Sequence, residues 1–140
     1  MEEQMSREDH KQIIRSVYAA RVADDIAGVA DHLCDDVAFE IHGAGTGLPG
    51  MSGPVSGKAA VEPLIAELIR GFHFSDWQEI SLIAEGDHAA LHWRAKVTCS
   101  TNGKSNTFDV FDFFSFRDNK IRELRQFTDT AKLMQMVSAT

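Results

Sequence analysis

The sequence predicts an α+β domain in which a curved, mostly antiparallel sheet carries the N-terminal helices on its concave face. Three observations lead there. Apolar residues recur at helical spacing through the first half of the chain. From His73 onward the pattern changes to strand-like alternation broken by turn signals. The 140 residues make one domain's worth of chain, 1–140, enough to bury a single core.

The elements follow in order. Ser6 and Asp9 have the spacing of a capping box, and Ile13, Ile14, Val17, Tyr18 and Val22 then mark one helix face. Asp24 or Asp25 caps a second short helix with Ile26, Val29 and Leu33. A strand over Val37–His42 alternates Val37, Phe39 and Ile41 against Ala38, Glu40 and His42. Gly43–Gly57 reads as a loop, with six glycines and two prolines in fifteen residues. A third helix opens at Ser56 or Gly57 and ends near Gly71, with Pro63 either in its first turn or at a kink.

Strands are then expected over Trp77–Ala84, Ala89–Cys99, Ser105–Phe116 and Ile121–Thr128, with a closing helix over Ala131–Val137. Asn102-Gly103 and Asp118-Asn119 are the hairpin signals. No internal repeat, linker or low-complexity segment interrupts this order.

Composition narrows the function. Nine Phe against one Tyr predict an interior rich in apolar area and poor in polar handles. The net charge of -7 argues against nucleic acid and against an anionic membrane surface. No apolar run approaches the roughly 20 residues of a membrane span. The polar start MEEQMSREDHKQ is not a secretory signal, so a cytoplasmic location is expected. Cys34 and Cys99 lack metal or redox spacing and read as small buried hydrophobes.

Hairpin register assigns the faces. A two-residue turn at Asn102-Gly103 pairs Val97 with Phe108, Ala95 with Val110, Trp93 with Asp112 and Leu91 with Phe114. That face is apolar apart from Asp112, whose burial predicts a raised pKa unless a cation lies near. A two-residue turn at Asp118-Asn119 sets Asp112 opposite Arg125, with Phe127 and Asp129 continuing the same face. A one-residue slip would send Arg125 outward and leave Asp112 alone. The opposite face shows Phe111, Phe113, Leu124, Arg94 and His92, and so much exposed apolar area predicts a homodimer through the outer sheet.

The run FDVFDFFSF, Phe108–Phe116, resembles the ketosteroid-isomerase strand that carries a protonated, hydrogen-bond-donating aspartate, and Asp112 falls on that position. LCDDVAFE, Leu33–Glu40, resembles the first strand of the same superfamily. KIRELRQFTDTAKLMQMV, Lys120–Val137, looks like the last strand and helix of SnoaL-like proteins and limonene epoxide hydrolase. The resemblance spans nearly the whole chain and implies the nuclear-transport-factor-2-like fold, a cone-shaped α+β domain with a curved, mixed, mostly antiparallel sheet.

Chemistry carries over only in part. The isomerase's general base corresponds to Ile41 and its pocket tyrosine to Val17, with Tyr18 one step off. The hydrolase's final aspartate corresponds to Asp129, its Arg-x-Asp pair to Arg94-Ala95-Lys96, and its Tyr-x-Asn to Phe39 and Ile41. Neither steroid isomerisation nor limonene epoxide hydrolysis is expected.

The expected site is a mostly apolar pocket around Asp112, taking a small apolar molecule with a carbonyl, enol or hydroxyl. Asp112 is the candidate acid or hydrogen-bond donor, or else half of a structural pair with Arg125, which is read as its counter-ion or as the binder of an anionic substrate group. His42 or Asp129 is the candidate base, against a solvent-facing His42 and an Asp129 that merely caps the last helix. Tyr18 is a candidate donor. Phe39, Ile41, Trp93 and Val110, with Phe114 and Phe127, are the expected walls. Gly45–Gly50 spells GxGxxG, but Pro49 stands where a helix should start, so a flap over the pocket is expected rather than a dinucleotide site. The six histidines show no ligand spacing, and neither metal nor cofactor is expected. Isomerisation, cyclisation, dehydration or hydrolysis would suit such a site; a non-catalytic binding or dimerisation domain is the alternative.

Overall fold

A computed structural model describes residues 2–43, 51 and 53–138, so the GxGxxG motif and the expected flap lie outside the described residues. Helix α1 spans Glu2–Val22, α2 Ile26–Ala30, α3 Lys58–Gly71 and α4 Thr130–Ser138. The strands are β1 (Leu33–Ile41), β2 (Val55–Ser56), β3 (Phe72–Glu85), β4 (His88–Cys99), β5 (Ser105–Arg117) and β6 (Lys120–Thr128). They form one sheet in the order β2-β1-β6-β5-β4-β3, parallel only between β1 and β6. This is the mostly antiparallel α+β architecture that the periodicity predicts, and the mixed sheet that the family resemblance implies.

Helix α1 buries Ile14, Val17, Tyr18 and Arg21, a stripe at i, i+3, i+4 and i+7. It passes through Ser6 instead of starting there, so the expected capping box is not its terminus. Asp24, at φ 58°, breaks the helix, and the Asp25 carboxylate accepts the Gly28 N–H at 3.0 Å to cap α2. Helix α3 runs through Pro63 rather than beginning at it.

Two registers differ from expectation, with opposite consequences. In the β4/β5 hairpin Trp93 lies opposite Val110 and Leu91 opposite Asp112. The turn takes four residues, Ser100–Gly103, because Cys99 and Lys104 pair at 2.8 Å and the Asn102 side chain accepts the Lys104 N–H. The slip is two residues, so every side chain keeps its face. Trp93, Val110 and Asp112 remain inside.

Between β5 and β6 the turn is the expected one. Asp118 and Asn119 are left-handed, at φ 52° and 59°, and Phe116 faces Ile121. A bulge then follows, with Ser115 opposite Glu123, so Arg122 is the extra residue. Beyond it Asp112 lies opposite Gln126, and Phe113 opposite Arg125. Without the bulge Glu123 and Arg125 would point inward, a costly burial of two charges. With it Leu124, Gln126 and Thr128 face inward, while Arg125 and Phe127 face out.

The core clusters around Trp93, Phe114, Ile121 and Val37. On the outer sheet face Phe111, Phe113 and Phe127 are 52%, 37% and 41% exposed. Leu124, expected on that face, is buried instead, because the bulge turned it inward.

Candidate functional site

Four elements converge on one carboxyl. Helix α1 supplies Tyr18, β4 supplies Trp93, β5 supplies Asp112 and β6 supplies Gln126. The Tyr18 hydroxyl donates to Asp112 Oδ2. The Trp93 indole N–H is shared between Asp112 Oδ2 at 2.9 Å and the Tyr18 oxygen at 3.1 Å. Gln126 Nε2 donates to Asp112 Oδ1 at 3.0 Å and approaches the Tyr18 oxygen at 3.4 Å. The Tyr18 ring is held between Trp77 and Trp93, with centroids 5.1 and 5.3 Å away. Its hydroxyl therefore has little freedom to leave the carboxyl.

Electrostatics follows from burial. Asp112 is 3% exposed with no cation among the described residues against it, and desolvation lifts its pKa to about 6; the hydrogen bonds from Tyr18, Gln126 and Trp93 restrain that rise. Burial, then the adjacent Asp112, pushes the Tyr18 hydroxyl well above its ordinary value. Near neutral pH the pair is a carboxylate poised to take a proton and a phenol that resists losing its own.

In front of this network lies a cavity of about 120 Å³, room for on the order of ten waters. Its wall is mainly apolar: Val17, Phe39, Ile41, Phe72, Phe74 and Val110 are typical. Tyr18, Trp93 and Gln126 reach the wall, together with Thr128 and Arg21, whereas Asp112 lies one layer behind them. The polar groups are few and gathered at defined points, as in small-molecule sites.

Of the residues expected at the site, Tyr18, Phe39, Ile41, Trp93 and Val110 line the cavity. Phe114 is fully buried in the core behind it. Arg125 and Phe127 are displaced to the outer face by the bulge, so Arg125 is not the partner of Asp112. His42 is also outside, its ring stacked on Phe127 at 4.1 Å, because it follows Ile41 and takes the opposite face. Asp129 is exposed, and its carboxylate accepts the Lys132 N–H at 3.0 Å as the cap of α4. The structure thus brings neither expected base to Asp112.

Among the cavity residues that the sequence reading did not place there, Gln126 and Arg21 bear most on the chemistry. Gln126 was masked by the bulge, which leaves no mark in residue types. Arg21 had a visible signal, since it completes the 14, 17, 18, 21 stripe of α1. Among the described residues no group of three His, Cys, Asp or Glu could hold a metal, and no helix is long and apolar enough to cross a membrane.

A sequence profile of the SnoaL-like domain matches residues 14–124. No curated protein gives a significant match. Among solved structures, a Bacillus subtilis protein provisionally named an isomerase superposes with TM-score 0.84 at 16% identity, covering 95% of each chain. TerC, co-crystallised with polyporic acid, gives TM-score 0.79 at 22% identity over 94% of this chain and 99% of its own. An epoxide hydrolase of the LEH-like kind from M. tuberculosis gives 0.74 at 15% identity over 94% and 91%. At these identities the likeness is one of fold.

Proposed function

The chain belongs to the SnoaL-like domain family, and from that premise we propose that it is a cofactor-independent acid/base enzyme acting on a small, largely apolar oxygenated molecule. One observation carries the reading: a buried carboxyl, with its pKa lifted to about 6, stands behind a tyrosine hydroxyl on the wall of an apolar cavity. A carboxyl titrating near the working pH is suited to proton transfer. The Tyr18 hydroxyl oxygen meets the molecule, and Asp112 is the proton store behind it. A proton leaving the molecule goes to the Tyr18 oxygen as the Tyr18 proton passes to Asp112. The reverse movement returns a proton to an enol or carbonyl oxygen. Isomerisation, cyclisation and dehydration all need such a step. The isomerase and epoxide hydrolase names of its structural neighbours are compatible with it.

The test is proton exchange at an acidic C–H. Wild-type protein is expected to speed deuterium uptake by 2-tetralone in D₂O above the buffer rate, and Asp112→Asn and Tyr18→Phe to lose that rate while still binding the ketone. Exchange that is unchanged in both variants, with their folds intact, sinks the reading.

A specific observation favours a second reading, a non-catalytic binding domain. All three donors point at Asp112, which itself does not reach the cavity wall. Ketone binding without any exchange in the wild type selects that alternative. In either case we propose a homodimer through the outer sheet face, where Phe111 lies opposite Phe127 beside Phe113 and Arg94. Apolar area of that kind is usually covered by a partner.

A further inference from the structure

A second buried charge borders the same cavity. Arg21 stands three residues beyond Tyr18 on α1, about 4.5 Å along the helix axis, on the same buried face. It is 8% exposed. Its Nη2 donates to the carbonyls of Leu68 at 3.2 Å and Phe72 at 2.8 Å. The guanidinium carbon lies 3.8 Å from the Phe74 ring centroid. Nη1, by contrast, is buried and has no hydrogen-bond partner.

No carboxylate among the described residues lies within ion-pair distance of Arg21. The segment between Gly43 and Gly53 contains no acidic residue, and Glu2 and Glu3 stand at the far end of the same helix. Burial lowers the Arg21 pKa to about 10, which still leaves it charged at neutral pH. Two carbonyls, one ring face and the more distant charge of Asp24 compensate a buried guanidinium only in part. A planar fork with one unfilled side is suited to an oxyanion.

We propose that Arg21 anchors an anionic oxygen of the pocket molecule, so that the substrate class is apolar acids, carboxylic or enolic, rather than neutral ketones. The inference rests on the pocket reading above and sharpens its substrate. It also sets the orientation. Ionised Asp112 repels an anion from the Tyr18 end, so the charged oxygen lies at Arg21 and the reacting oxygen or carbon at Tyr18. The contacts of Nη2 tie α1 to the α3/β3 junction, but they leave the Nη1 donors over, and a purely structural tie has no use for those.

The test compares 2-naphthoate with 2-acetonaphthone, which match in size and differ in charge, by isothermal titration calorimetry. Wild-type protein is expected to bind the naphthoate about tenfold or more tightly, the scale of one charge-assisted contact. Arg21→Gln is expected to abolish that preference, the ratio of naphthoate to acetonaphthone affinity falling to about one, whereas Arg21→Lys keeps part of it. Equal affinities in the wild type, or a preference for the neutral ketone, overturn the inference and leave the pocket reading standing. Binding of neither probe overturns both. A naphthoate preference that survives in Arg21→Gln also overturns it. The wild-type comparison decides even if the variants fail to fold.

Discussion

The Tyr18 hydroxyl meets the Asp112 carboxylate across 94 positions of chain, helix to strand, with the Trp93 indole N–H bridging both. Among the hydrogen bonds that restrain the pKa of Asp112, that of Tyr18 ranks first. Tyr18→Phe should therefore let Asp112 titrate above its present value of about 6. Carboxyl carbon chemical shifts followed through a pH titration measure this directly. A value that falls would mean that Tyr18 does not donate to the carboxylate.

Stability should carry the mark of the same group. Asp112 has a higher pKa folded, about 6, than its ordinary 3.8, so between these values the native state holds more protons than the unfolded chain. Its contribution is then greatest below about pH 4 and is lost as the pH rises through about 6, by roughly 3 kcal/mol in total. Asp112→Asn removes this dependence. The stability of the variant relative to wild type, from urea unfolding, should improve steadily from about pH 4 to pH 7. A flat difference would deny the burial of the charge.

The bulge at Arg122 separates two neighbours that the expected register confuses. Gln126 donates to Asp112 at 3.0 Å, while Arg125 lies outward opposite Phe113. Gln126→Ala should raise the Asp112 pKa and Arg125→Ala should leave it where it is. If Arg125→Ala moves it and Gln126→Ala does not, the strand is one residue out of place.

On the outer face Phe111 lies opposite Phe127, and His92 and His42 stack on the two rings at 4.3 and 4.1 Å. Phe111→Asp places a charge in the middle of that patch. Sedimentation velocity at micromolar concentration should show a dimer for the wild type and a monomer for the variant, with pocket binding of 2-acetonaphthone retained. A monomeric wild type removes the proposed interface.

Asp129 accepts the Lys132 N–H as an N-cap. Asp129→Ala should cost about 1 kcal/mol of stability and leave the tetralone exchange rate unaltered. Lost exchange in a folded variant would return Asp129 to the chemistry.

Helices, strands and the α+β class were legible in the sequence because each rests on local periodicity: the helical recurrence of Ile13, Ile14, Val17, Tyr18 and Val22 in α1 and the alternation of β4 and β5 repeat within one element. The inward face of β5, with Asp112 as its polar exception, was legible for the same reason. It survived a mistaken turn length at Asn102-Gly103 because a slip of two residues leaves every side chain on its face. The partner of Asp112 was not legible. One extra residue at Arg122 exchanged Arg125 for Gln126, and a bulge is chosen by the cost of burying Glu123 and Arg125 across the whole sheet, not by local residue preference. Contacts over 75 and 94 positions, Trp93 and Asp112 to Tyr18, exist only once α1 lies across the sheet. Residue pattern by itself therefore determined the fold class and the buried acid; tertiary packing alone decided which donors surround that acid and left Arg21, not Arg125, as the cation at the cavity among the described residues.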